Sequence, residues 1–142
     1  MYFLNFKQKR KFDSAIQKNR PPIKDPTMFK VLEFQFQKLW LGIFVAIKEG
    51  KKFNQKDAES ALKIAYQLVK MEPLRGSPWV YKSWILSTFG RCDESLEANL
   101  HAIEIDPSDP DKWGFRASIL RVVDRISEAN EAEKRAKKLR ED

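Results

Sequence analysis

One cysteine in 142 residues excludes an internal disulfide, and Cys92, beside Asp93 and Glu94, has no second thiolate with which to hold a metal. A reducing, cytoplasmic setting is the expectation that follows. The single histidine is as restrictive. His101 has Glu97 and Glu104 as helical neighbours, but zinc wants three or four well-placed ligands, so a solvated helix face is expected there. The five glycines never assemble into a phosphate-cradling loop, and neither a nucleophile elbow nor an HExxH pair occurs. No catalytic residue, metal or cofactor is therefore assigned, and the chain reads as a non-enzyme. Long apolar runs are missing too: the longest, Leu39 to Ile47, spans nine residues against roughly 20 for a bilayer crossing. The opening "MYFLNFKQKRKF" puts apolar residues ahead of basic ones and lacks a small-residue cleavage site, which does not read as a signal peptide. No segment carries a convincing strand pattern.

What is present begins with charge. The net charge is +7, and residues 1 to 24 hold +6 of it, seven Lys and Arg against Asp13 alone. Residues 1 to 26 therefore read as a basic arm and 27 to 142 as a helical domain. The candidate polyanion-binding residues of the arm are Lys7, Lys9, Arg10, Lys11, Lys18 and Arg20. They fit nucleic-acid phosphates, an anionic membrane reached together with Tyr2, Phe3, Leu4 and Phe6, or a protein surface; a flexible solubilising tail is the plain alternative.

The prolines of "NRPPIKDP" stop the arm, and Asp25 followed by Pro26 is a helix start. From Thr27 to about Glu49 the pattern fits one long helix or two. Its segment "LWLGIFVAIK" is apolar almost all round and predicts neighbours on two sides. Asn54 or Asp57 caps the next helix, with Ala58, Ala61, Leu62, Ala65, Leu68 and Val69 at three-four spacing, ending near Met71. A third helix is expected from Ser77 to Phe89, stopped by Gly90. Asp93 is expected to cap a fourth, with Leu96, Leu100 and Ile103 on one face and its end at Asp106. A fifth covers Asp111 to Val123. The last, from Ser127, carries a thin stripe of Ala129, Ala132, Ala136 and Leu139.

Setting Trp79 over Trp113 fixes a period of 34 residues, at which 79 to 104 share eight identities in 26 positions with the stretch that follows. Small residues recur in kind, Ser83 with Ala117 and Ser95 with Ala129, and Pro107 falls one period after Pro73. Amphipathicity alone aligns apolar residues; it does not place two tryptophans and two helix-ending prolines in one register. Equal helical hairpins that cannot bury their apolar faces alone would stack and share a core.

With Trp79, Ser83, Leu86, Gly90, Ser95, Ala102 and Pro107, and again Trp113, Ala117, Leu120, Ala129 and Ala136, the chain resembles the tetratricopeptide repeat (TPR) family. It departs from that pattern at Lys82 and Arg116, where leucine is usual, at Asp124, where the turn glycine is missing, and between Gly50 and Ala61, where the connection is long. The resemblance implies an all-α solenoid of about three hairpins. It implies a concave groove lined by the first helix of each hairpin, at Val80, Tyr81, Trp84, Ser87, Phe115, Ser118 and Arg121. Ser77, Thr88, Asp111, Gly114 and Val122 lie at the remaining groove positions. The implied function is a scaffold or adaptor module that binds a peptide or helix of a partner protein. Val80, Trp84, Gly114 and Ser118 stand where chaperone-binding members carry a basic clamp, so an apolar segment is expected rather than a C-terminal carboxylate. Trp84 has two readings, an anchor for the partner or packing against the long first helix. Arg121 is read as a partner for a peptide carboxylate. A homodimer through Leu39 to Ile47 is the alternative use of the first helix.

Overall fold

Caps set the helix boundaries in the computed structural model, which describes residues 22–142. The arm residues Lys7, Lys9, Arg10, Lys11, Lys18 and Arg20 lie outside them. Helix α1 (Pro26–Lys48) starts where the Asp25 carboxylate accepts the Met28 N–H at 3.0 Å, with Pro26 in the first turn. It runs unbroken, so the stretch that fitted one helix or two is one. Helix α2 (Gln55–Met71) starts with Asn54, whose side chain accepts the Asp57 N–H at 3.2 Å; Asp57 itself lies in the first turn. Four more helices follow: α3 (Gly76–Thr88), α4 (Cys92–Ile105), α5 (Pro110–Val122) and α6 (Ile126–Glu141). The expected cap at Asp93 is displaced. Arg91 takes the cap position, and Asp93 and Glu94 sit in the first turn, where the exposed N–H groups favour negative charge.

The turns inside the three hairpins share one geometry. Gly50, Gly90 and Asp124 all have left-handed backbone, at φ 66°, 71° and 61°. After each, the next N–H reaches back to a helix carbonyl: Lys51 to Ala46 at 2.8 Å, Arg91 to Leu86 at 3.1 Å, Arg125 to Leu120 at 2.8 Å. This cap satisfies a carbonyl that the helix end leaves open. The missing glycine at Asp124 therefore changes the residue and keeps the turn, because aspartate tolerates left-handed backbone better than most side chains.

The 34-residue register is physical. The Trp79 indole N–H donates to the Pro73 carbonyl at 2.8 Å, and the Trp113 indole donates to Pro107 at 3.0 Å. Arg91 pairs with Glu94 as Arg125 pairs with Glu128, each through two bonds of 2.7 and 2.6 Å. Ser83 and Ala117, and Ser95 and Ala129, are all buried, and small side chains there let the paired helices approach. Six helices thus form three paired hairpins, α1–α2, α3–α4 and α5–α6, in an all-α repeat architecture.

Two apolar clusters hold the stack. One joins α1, α2 and α3 around Phe36, Ile43, Leu68 and Ile85, with Ile23 packed against it; the other joins α4, α5 and α6 around Leu96, Leu120 and Ala132. Polar ties cross the boundary between the second and third hairpins: the Asn99 amide donates to the Lys112 carbonyl at 3.0 Å, and Arg116 donates to the Leu96 carbonyl at 3.2 Å. Asn99, not Leu100, takes the inward position of α4, and Leu100 is exposed. A second expectation is corrected on α1. Ile43 is buried and Leu39 and Trp40 partly so, but Leu41, Phe44, Val45 and Ile47 are exposed, so the described residues cover "LWLGIFVAIK" on one side only.

Candidate functional site

The departures from leucine at 82 and 116 are absorbed by local chemistry. The Lys82 ammonium sits 4.6 Å from the Tyr66 ring centre and 5.1 Å from that of Trp79, and Arg116 is engaged with α4. Both cations face second helices of the hairpins, which leaves the opposite side of α3 and α5 to aromatic residues.

On that side the ring ladder begins in α1. Phe36 stacks on Tyr81 with centres 4.6 Å apart, and Trp40 stacks on Trp84 at 5.5 Å with planes 20° apart. Tyr81 is fixed at its other end as well. Its hydroxyl donates to the Glu33 carboxylate at 2.9 Å and accepts from the Gln37 amide at 3.0 Å. Burial pushes its pKa up to about 12, with the Glu33 carboxylate adding to the rise and the Gln37 bond opposing it. Tyr81 therefore stays a neutral donor across the physiological range.

Between α3 and α5 the surface opens into a cavity of about 350 Å³, lined by Ser77, Val80, Tyr81, Ser83, Trp84, Asn99, Asp109, Asp111, Lys112 and Phe115. The size is in the range that takes one large side chain or a short stretch of peptide. Lys112 does not charge it. Its ammonium is buried against the Asp106 carboxylate at 3.2 Å. Burial opposes ionisation of Asp106, yet bonds from Ser108 and the charge of Lys112 outweigh it and hold the carboxyl below its ordinary value. Asp109 is spent on capping α5, through the Asp111 N–H at 2.9 Å.

Four of the seven residues expected to line a groove come together here: Val80, Tyr81, Trp84 and Phe115. Trp84 packs on Trp40, as one of its two readings has it, and it also borders the cavity. Ser87 and Ser118 are not among the lining residues, and their hydroxyls donate to the carbonyls of Trp84 at 2.6 Å and Gly114 at 3.1 Å, one turn back in their own helices. Arg121 is exposed, its guanidinium pairs with Glu133 of α6, and it is not among the residues lining the cavity. Asn99 and Lys112 were missed. Position 99 completes a three-four stripe with Leu96 and Ile103, and that stripe was the available signal. His101 stacks on Trp79 at 4.3 Å and lies 3.8 Å from Glu104, and among the described residues no group of three His, Cys, Asp or Glu could hold a metal ion.

No protein-family model and no curated protein matches the chain. Solved structures do. The TPR2B domain of yeast Sti1, in complex with pHsp70, is 17% identical with a TM-score of 0.57, over 75% of this chain and 80% of that one. MamA is 14% identical with a TM-score of 0.62, over 96% and 79%. The CopN–Scc3 complex contains a chain 16% identical, with a TM-score of 0.57 over 87% and 73%. At these identities the likeness is one of fold: a helical-repeat solenoid.

Proposed function

We propose that the chain is a TPR-type adaptor that holds an apolar segment of a partner protein in the groove between α3 and α5, and that it performs no catalysis. The observation that carries this reading is the cavity walled by Val80, Tyr81, Trp84 and Phe115. Its aromatic walls are fixed in advance by the ladder to Phe36 and Trp40, so little order is lost when a ligand enters. Preset aromatic walls are the kind of surface on which a few side chains carry most of the binding energy. The TPR2B domain is seen in complex with pHsp70, and CopN and Scc3 with each other, which supports a protein partner without naming one. A cytoplasmic setting belongs to the same reading and rests on the single free cysteine.

The test is affinity capture with chemical cross-linking, using the wild-type chain, Trp84→Ala and Phe115→Ser. Each substitution should weaken capture of the same cross-linked partner by tenfold or more, on the scale of about 2 kcal/mol for an interface anchor. Phe115→Ser guards against the loss of Trp40 packing in Trp84→Ala. Unchanged capture by both, with helicity retained, would remove the groove from the function.

A further inference from the structure

Helix α1 has two apolar faces, and the described body covers one. Phe29, Leu32, Phe36 and Ile43 are buried; Val31, Phe34, Leu41 and Val45 recur at helical spacing on the opposite side. Phe34 is 66% exposed and Leu41 62%, and a side chain added at Gly42, between them and Val45, would meet nothing within 4 Å. The stripe is about 20 Å long. Lys30, Lys38 and Lys48 are exposed on the same helix, whose one carboxylate, Glu33, accepts a bond from Tyr81 on the groove side. Charge follows the same division. Residues 1 to 48 hold ten Lys and Arg against three acids, which is the whole +7, while 49 to 142 hold seventeen of each sign.

We propose that the outer face of α1 docks on an anionic lipid bilayer, with the stripe dipping into the headgroup layer and the lysines reaching lipid phosphates and carboxylates. A second copy of the chain is the poorer occupant. Self-pairing along this stripe sets Lys38 against its counterpart and brings the two basic ends together. A partner helix would need an anion opposite Lys38 in the middle of an apolar seam. A bilayer needs no such match, because lysine stems lie along apolar surface while their ammonium groups reach the headgroups. An apolar insertion or a basic stretch alone binds marginally; here the stripe and three lysines share one helix, as durable peripheral attachment requires. No helix among the described residues is long and apolar enough to cross a membrane.

The experiment is flotation of the full chain with vesicles of phosphatidylcholine containing phosphatidylserine, against phosphatidylcholine alone, over a range of salt. Binding to the anionic vesicles is expected, weakening as salt rises. Phe34→Ser with Leu41→Ser leaves the charge unchanged and should lower the partition coefficient by about tenfold or more, with helicity retained by circular dichroism. Replacing Lys30, Lys38 and Lys48 by Gln should lower it too and flatten the salt dependence. Leu74→Ser, at an exposed apolar residue between α2 and α3, should change nothing. Three results overturn the proposal: no binding by the wild type, binding indifferent to Phe34→Ser with Leu41→Ser, or a wild-type dimer that this double substitution makes monomeric.

Discussion

The two ends of the stack are built to opposite rules. At one end α6 buries only Ala129, Ala132 and Ala136, and the rest of its surface is mostly charged. At the other, α1 buries Phe29, Leu32, Phe36 and Ile43, and still shows a second apolar stripe to the outside. A repeat array stays in solution when its terminal helix has a polar outer face. Helix α6 meets that condition and α1 does not, so within the described residues the array is closed at one end and open at the other. The inner faces differ as well. Alanines hold α6 close to α5, whereas rings and branched chains hold α1 to α2 and α3, so the ends should respond differently to changes of volume.

The largest effect is expected at the aromatic end. Phe36→Ala removes a fully buried ring stacked on Tyr81 and should cost about 3–5 kcal/mol in urea unfolding. At the alanine end the sensitive direction is reversed. Ala132→Leu adds volume where α5 and α6 meet and should cost about 1–3 kcal/mol. If both ends tolerated enlargement equally, the distinction between ring packing and alanine packing would fail.

Much of this was legible in the sequence, and the limits have physical causes. The 34-residue register was readable because tryptophan, proline and arginine recur in it, and the structure shows what couples the first two: an indole N–H on a carbonyl six residues earlier. Four aromatic and apolar residues that line the cavity were readable because they belong to first helices of hairpins. The inward position of α4 was not. Leu96, Leu100 and Ile103 fit the three-four spacing as well as Leu96, Asn99 and Ile103, and the apolar choice is wrong because the Asn99 amide finds the Lys112 carbonyl across the boundary. The pairing of Arg121 with Glu133 was not readable for a similar reason, since Glu133 is reached only once α6 folds back on α5. The exposed side of α1 was legible only as the homodimer alternative through Leu39 to Ile47, because a helix apolar all round does not announce which neighbours it lacks.

The hairpin turns sharpen the comparison at a smaller scale. Gly90→Ala places a side chain in open space but at φ 71°, so its cost is backbone strain of roughly 1–2 kcal/mol. Asp124→Gly at the equivalent turn should have the opposite sign and gain up to about 1 kcal/mol. Same-sign results would mean that the two turns are not equivalent. An alkaline pH effect is expected in the first half of the stack. With its pKa raised from 10.0 to about 12, Tyr81 contributes stability that is whole below pH 10 and lost as pH rises through 12. Unfolding followed in that window should show the loss, and Tyr81→Phe, which cannot ionise, should remove this pH dependence.

The smallest expected effect bears most directly on the open end. Phe34→Ser should change unfolding stability by no more than about 0.5 kcal/mol, because a ring 66% exposed gives up little burial and serine and phenylalanine have similar helix propensities. The measurement separates two accounts of the stripe. If Phe34 packs on nothing in the isolated chain, its removal is silent in urea unfolding and the stripe serves something the chain meets elsewhere. If it is covered in solution by residues 1 to 21 or by a second copy, removal should cost upwards of about 1 kcal/mol as the covering contact is lost. A concentration-dependent cost would point to the second copy, and a concentration-independent one to the chain's own first residues. Either would close the open end and withdraw the contrast with α6.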